Sequence, residues 1–462
     1  MSLHVVILAA GQGKRMQSAL PKVLHPIAGQ PMLKRVVETA CRLNPERIHV
    51  VIGHGGAQIQ QALSDLPVAW VVQKEQLGTG HAVMQALPMI PLASDILILY
   101  ADVPLIDQQE LEKLISPVRS GHASLALLLL SAEDPTGLGR IVRNEVQQIQ
   151  AIVEEKDANE LQKQIREIYT GICCARAEDL ARWLPQLNAA NAQQEYYLTE
   201  IIAMAVKERK TIDSIHAADS LTVQGVNDRV QLSQLERAFQ LKQAKRLLLA
   251  GVTLADPARI DIRGQLTCER DVFIDVNAVF SGDVCLGEGS HIGPNCSLHD
   301  VTIGKNCYIH ANSVLEDCQV GDACQIGPFA RLRPGTELGR GCKIGNFVET
   351  KKAVFDAGSQ ASHLSYLGDV TIGKAVNIGA GTITCNYDGM NKHQTIIEDG
   401  AFIGSDTQLV APVTIGKNAT IGAGSTIRKS APAEELTLTE SKQKTVYGWV
   451  RPKKKEYVEH QE

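Results

Sequence analysis

Three groups of residues have types and spacings that can do chemistry. The first is Leu8-Ala9-Ala10-Gly11-Gln12-Gly13-Lys14-Arg15. Small side chains let backbone N–H groups approach an anionic ligand, and Lys14 and Arg15 add positive charge. It is neither a dinucleotide fingerprint, whose third Gly would fall at Met16, nor a P-loop, because no Gly-Lys-Ser/Thr follows. A Gly-rich turn without a ligand is the bland alternative. The second is Tyr100-Ala-Asp102-Val-Pro104, after an apolar run. A lone carboxylate there can hold Mg²⁺, which keeps waters and substrate phosphates as its other ligands. Its alternative is a turn Asp before a Pro. The third holds Lys351, His363 and Tyr366, followed by Asn386, Tyr387 and Asp388. A His near its reference pKa of ~6.5 can give or take a proton at neutral pH. An ordinary loop His is the alternative. Arg333 follows the apolar Leu332 by one residue, so it also reads as a solvated face. The run Glu154-Glu155-Lys156-Asp157 also reads as plain surface.

Two different grammars must position these groups. In residues 1–226, Val5–Leu8, Ile48–Ile52, Val68–Val72, Ile96–Tyr100 and Ser124–Leu130 are continuous aliphatic runs. Such runs suit parallel strands buried on both faces. Met32–Arg42, Gly80–Leu87 and Gln109–Ile115 carry helical spacing between them. The alternation predicts a doubly wound α/β domain. Residues 227–250 predict one connecting helix, capped by Asn227 or Asp228, with Leu232, Leu235 and Phe239 on one face and Gly251 at its end.

Residues 251–462 form a further domain with a C-terminal tail, and from about residue 259 its period becomes six. Ile403, Leu409, Ile415, Ile421 and Ile427 keep that spacing, as do Ile326, Leu332, Leu338 and Ile344, and Ile303, Ile309 and Leu315. This is the hexapeptide signature of a left-handed parallel β-helix, in which three hexads make a coil of about 18 residues. Val348–Val370 and Ile383–Thr395 interrupt the period and read as loops expelled from the solenoid, where binding sites are often built.

Composition narrows the partners. With 46 Lys+Arg, 51 Asp+Glu and net charge −5, no basic excess suits general nucleic-acid binding. No apolar run approaches the ~20 residues that span a bilayer, so no membrane partner is expected. The N-terminus lacks a basic n-region, so no signal peptide is expected either. An odd count of 11 Cys without Cys-x-x-Cys reads as reduced thiols in the cytoplasm. Cys285, Cys296, Cys307 and Cys318 are spaced by eleven, while Cys324 and Cys342 lie one coil apart and read as stacked corner residues. The basic run Arg451–Lys455 reads as a solvated terminus or a steering patch for a phosphate-bearing ligand.

The N-terminal loop, with Pro21-Lys22 and Pro26-Ile-Ala-Gly29-Gln-Pro31, resembles the signature of sugar-nucleotide pyrophosphorylases. Over nearly its whole length the chain is similar to the family of bifunctional N-acetylglucosamine-1-phosphate uridylyltransferase/glucosamine-1-phosphate N-acetyltransferases. The most specific pieces are Gln73–Gly80, Pro135–Arg140, Gly225-Val-Asn227, Arg331–Pro334 and Asn377–Gly389. The resemblance implies a nucleotide-diphospho-sugar transferase-like head. Leu8, Ala9, Ala10, Gly11, Gln73, Gly78 and Thr79 would hold UTP, with Tyr100 beside them. Gly139, Glu154 and Tyr169 would lie at the sugar. Asp102 and Asn227 would hold Mg²⁺, and Arg15 and Lys22 would meet phosphates as catalytic cations. In the tail the resemblance makes His363 the general base. Arg333 and Lys351 would bind the sugar phosphate, and Tyr366, Asn377 and Tyr387 would orient the sugar. Asn386 would help orient base or substrate, and Ala380, Ser405 and Ala423 would meet acetyl-CoA, with Asn386 and Tyr387 on the cofactor side of the site. A homotrimer is implied as well. Three positions depart from the family. Tyr169 stands where an Asn is usual, which leaves the sugar selectivity of the head open. Lys14 stands for a common Thr. Glu440 stands where an Arg for CoA can occur, with Lys442 or Lys444 as substitutes.

Overall fold

The computed structural model describes residues 2–453, and these fall into two compact units, residues 2–266 with 279–283, and residues 267–278 with 284–453. Lys454 and Lys455 of the basic run lie outside the described residues.

The first unit is built on a nine-stranded sheet. Leu3–Ala9 sits between two parallel neighbours, Arg47–Ile52 and Asp95–Tyr100. Every residue of Leu3–Ala9 is buried, as expected for a central strand covered on both faces. Chain order reverses at Leu3–Ala9, and such a switch point opens a crevice at the carboxyl ends of the strands. The Gly-rich loop and Asp102 both emerge there. The sheet is mixed rather than wholly parallel. Glu167–Arg176 runs antiparallel to Asp95–Tyr100 and to Leu125–Ser131, with an irregularity between Tyr169 and Cys173. The hairpin Gly139–Arg143/Ile149–Val153 joins its edge. The helices Met32–Cys41, Thr79–Ala86 and Gln108–Arg119 pack over the sheet.

The connecting segment is an α-helix, Arg229–Leu249. Asp228 caps it, accepting from Gln231 N at 2.8 Å, which leaves the Asn227 side chain for other work. Leu235 is buried, and Leu232 and Phe239 pack with it against Met16, Ile27 and Met32.

The second unit is a parallel β-helix whose rungs stack into two long sheets. The sixth-residue aliphatics point inward, and Ile303, Ile309, Ile326, Leu332, Ile344, Ile403, Leu409 and Ile421 are all essentially buried. Arg331 pairs with Glu349, and Glu349 with Tyr366, one coil further each time.

The first expected interruption is not a loop. Residues 348–370 stay in the coil as Glu349–Phe355, Gln360–His363 and Tyr366–Ile372. The hexad pattern is lost because Thr350 and Ala361 take inward positions held by Leu or Ile in the neighbouring rungs, while Ser365 fills the corner two residues before the buried Leu367. Their polar atoms are satisfied inside: Thr350 Oγ lies 3.0 Å from Thr336 Oγ, and Ser365 Oγ donates to His363 O at 2.9 Å. The second interruption is real. Asn377 pairs with Phe402, so that coil is 25 residues long, and the excess leaves as a hairpin after Cys385.

All eleven cysteines are free thiols. Cys307, Cys324 and Cys342 share one column, and their thiols donate to Gly321 O, Gly339 O and Asp356 O at 3.0, 3.1 and 3.2 Å. The eleven-residue spacing therefore does not mark a column; the coil does. Among the described residues no helix is long and apolar enough to cross a membrane, and no cluster of three or more His, Cys, Asp or Glu could hold a metal.

Candidate active sites

The crevice of the first unit is a cleft of about 580 Å³. Leu8, Ala9, Ala10, Gly11, Arg15, Lys22, Gln73, Gly78, Thr79, Tyr100, Asp102 and Asn227 all line it. Sequence spacing hides this convergence, because the residues come from four separate turns of chain. Gln76 and Glu195 also line it and were not anticipated. Gly13 adopts φ 60°, and a Cβ there would lie 2.7 Å from Lys22 Cβ. Gly is thus required both for the turn and for the passage of the Lys22 stem. Gln73 is almost fully buried, and its amide donates to Gly78 O at 3.2 Å, fixing the turn beside it.

Lys22 Nζ forms an ion pair with Asp102 and donates to Asn227 Oδ1 at 3.3 Å. Val226 N donates to Asp102 O at 2.9 Å, tying together the two segments that carry these acceptors. Two hard oxygen donors therefore converge on one point, at which a cation already sits. That is the donor set Mg²⁺ prefers, with substrate phosphates and waters completing the shell.

Gly139, Glu154 and Tyr169 do not line this cleft. They form a neighbouring group. Glu154 accepts from Thr199 Oγ1 at 3.1 Å, and burial raises its carboxyl above the usual range. Its oxygens lie close to Gly139, where an added Cβ would be 3.6 Å from Oε2. Tyr100 stands between group and cleft, and burial pushes its hydroxyl up so that it stays protonated. Tyr169 is 6% exposed and donates its hydroxyl to Gly171 O at 2.7 Å, so that group is used within its own strand. The charge run 154–157 is not plain surface. Glu155 pairs with the buried Arg140, and Glu154 faces inward.

In the second unit the rungs collect a cationic cluster. Arg333 Nη1 donates to Glu349 at 2.7 Å. Lys351 pairs in register with Gly368, and the facing Lys392 ammonium lowers its pKa. Gly368 has no side chain because the Tyr366 hydroxyl and the Asn386 amide close over it, 2.5 and 2.9 Å from where a Cβ would sit. Asn386 donates to Asp369. Lys392 and Asp369 belong to this cluster and were missed. Lys392 sits on the expelled hairpin, whose partner the sequence does not announce.

His363 is exposed, and its Nδ1 lies 2.8 Å from Asn346 Oδ1, one coil away. Asn377 stands on the same sheet, its Oδ1 accepting from Gln360 at 2.9 Å. The Arg333–Lys351–Tyr366 cluster lies on the other sheet. Ala380, Ser405 and Ala423, scattered in sequence, mark successive rungs of one corner: Asp406 N donates to Ala380 O at 2.7 Å and Gly424 N to Ser405 O at 2.8 Å. Tyr387 is exposed, with its hydroxyl on Gly389 O at 2.6 Å. Glu440, Lys442 and Lys444 are all exposed and irregular.

Residues 5–168 match the MobA-like NTP transferase domain family, and residues 394–429 match the bacterial transferase hexapeptide family. Residues 262–354 match a GMPPB C-terminal domain. The chain is 62% identical to a Legionella pneumophila (strain Lens) protein named bifunctional protein GlmU, over 99% of this chain and 100% of that one. It is 56% identical to the protein of that name from Marinobacter nauticus, over 98% and 99%.

Proposed function

The chain belongs to the bifunctional GlmU family, and on that footing we propose how its two sites divide the synthesis of UDP-N-acetylglucosamine. It is a bifunctional transferase. It acetylates glucosamine 1-phosphate from acetyl-CoA, then joins the product to UTP with release of pyrophosphate. The observation that carries the assignment of residues in the head is the convergence of Asp102, Asn227 and Lys22 on one point of the cleft.

In the head, the sugar phosphate attacks the α-phosphorus of UTP in line. Such transfers need positioning and charge neutralisation more than covalent work. Mg²⁺ held by Asp102 and Asn227 would supply Lewis-acid charge to the phosphates. Lys22 and Arg15 add positive charge where the transition state gathers negative charge. The Gly-rich loop and Gln73 seat the nucleotide. Glu154 and Gly139 face the sugar.

In the tail, Arg333, Lys351 and Lys392 receive the sugar phosphate. His363, oriented by Asn346, takes a proton from the substrate ammonium, and the freed amine attacks the acetyl thioester. The corner marked by Ala380, Ser405 and Ala423 takes acetyl-CoA. We assign the acting form as a homotrimer. Phe329, Phe347 and Leu364 sit at φ 55°, 58° and 47° and are 50, 56 and 61% exposed beside His363. Bulky apolar residues rarely take that conformation. A second copy covering them would place the base of one chain against the site of another. A cytoplasmic location fits reduced thiols and soluble substrates.

Mass spectrometry of two separate incubations tests the reading. One holds UTP, N-acetylglucosamine 1-phosphate and Mg²⁺; the other holds acetyl-CoA and glucosamine 1-phosphate. Product is expected in both. Product only in the second would overturn the reading of the head.

A further inference from the structure

A second cleft of about 350 Å³ opens on the first unit, away from the Gly-rich loop. Its walls are the helix Met32–Cys41, the turn Pro104–Gln109, residues 221–222 and the helix Arg229–Leu249. Four cations gather on it: Arg35, Arg42, Lys242 and Arg246, against two acids, Glu38 and Asp107. Asp219, paired with Lys242, and Glu236, facing Arg35, compensate two of these cations and leave Arg42 and Arg246.

The cations are held differently. Arg35 is anchored, donating to Ile27 O at 2.7 Å and stacking over Phe239. Lys242 reaches Asp219 at 3.3 Å. Asp107 accepts from Gln109 N as a helix cap. Arg42 and Arg246 are exposed and enter no ion pair among the described residues; Arg246 Nη1 donates to Gln243 Oε1 at 2.9 Å and keeps its other N–H groups outward. The cleft is thus a rigid cationic floor with two open guanidiniums at its mouth, a geometry that takes bidentate oxyanions.

We propose that this cleft binds a small phosphate-bearing anion and that its occupancy tunes the metal affinity of the catalytic cleft. The walls explain the coupling. Pro104–Gln109 begins two residues after Asp102, and Leu221–Thr222 ends five residues before Asn227. Glu110 clamps the two walls, accepting from Ala218 N at 2.7 Å and Thr222 Oγ1 at 2.8 Å. Val226 N then joins them at Asp102 O. A ligand bridging these walls tightens that clamp and so biases the separation of Asp102 and Asn227. Linkage makes the effect reciprocal.

The coupling rests on reading Asp102 and Asn227 as metal ligands; the anion site does not. Inorganic phosphate is titrated calorimetrically into the full chain and into Arg42→Ala/Arg246→Ala, without metal. The wild type is expected to bind one more phosphate than the variant. Equal stoichiometry would overturn the site. Mn²⁺ is then titrated with and without phosphate. A shift of about 5-fold or more in Mn²⁺ affinity is expected, absent in the variant. The same shift in both proteins would overturn the coupling. No Mn²⁺ binding by either would overturn the metal reading and with it the coupling, while the first titration still decides the anion site. Both arginines are exposed, so unchanged far-ultraviolet dichroism is expected of the variant.

Discussion

Lys22→Met should raise the affinity of the nucleotide-free protein for a divalent metal while lowering the rate of uridylyl transfer. In the structure the Lys22 ammonium occupies the point where Asp102 and Asn227 converge. A metal entering there must displace it. A hydrogen bond to a charged group contributes about 1.5–3 kcal/mol, and an exposed ion pair about 0–1. The Lys22 and Asp102 side chains are 13% and 20% exposed, so the pair falls between, near 1.5 kcal/mol. Removing that competitor predicts roughly tenfold tighter Mn²⁺ binding, since each 1.4 kcal/mol is a factor of ten. Loss of one positive charge would by itself favour a cation, so Arg15→Met is the control. Arg15 lines the same cleft but makes no ion pair with Asp102. Screening should hold its effect to about twofold. The assay is Mn²⁺ titration by electron paramagnetic resonance without nucleotide, followed by uridylyl transfer at saturating UTP. Equal gains in both variants, or no gain in Lys22→Met, would refute displacement.

Other consequences can be checked separately. His363→Ala should lower acetyl transfer about 10²–10⁴-fold and leave uridylyl transfer intact, measured by thiol release and by pyrophosphate release. Lys392→Ala should raise the KM for glucosamine 1-phosphate more than it lowers kcat; an unchanged KM would remove Lys392 from the phosphate cluster. Tyr169→Asn leaves a cavity where a buried ring was and should destabilise the protein by about 2–4 kcal/mol in urea denaturation; a neutral result would mean the ring is not packed as described. Burial raises the Glu154 pKa, so its charge opposes folding above its folded-state pKa, and that penalty vanishes below the unfolded value near ~4.3. Glu154→Gln should therefore raise the melting temperature at pH 8 and have little effect at pH 4; the reverse order would contradict the burial.

The head was legible where a residue's neighbours in sequence are also its neighbours in space. The Gly-rich loop and Asp102 each follow a buried aliphatic run, and both runs are central strands. Glu167–Arg176 was not legible, because its antiparallel place is set by partners some forty and some eighty residues away. In the tail the six-residue period revealed the inward aliphatics but misled at residues 348–370. There, Thr350 and Ser365 are buried with their hydroxyls paired inside, and a pattern search for aliphatics cannot see such satisfaction. The corner that joins Ala380, Ser405 and Ala423 was reached through resemblance, not spacing, since the 25-residue coil shifts the count.

That long coil also shows how such a molecule can change its chemistry. The rung hydrogen bonds close above and below the hairpin as if it were not there: Asn377 pairs with Phe402, and Phe402 with Thr420. The scaffold's register is therefore indifferent to what leaves the corner after Cys385. A segment carrying Tyr387, Asp388 and Lys392 can be lengthened, shortened or exchanged while each rung keeps its partner. Substrate range and structural integrity are written on different parts of the same coil, so one can drift over generations without endangering the other.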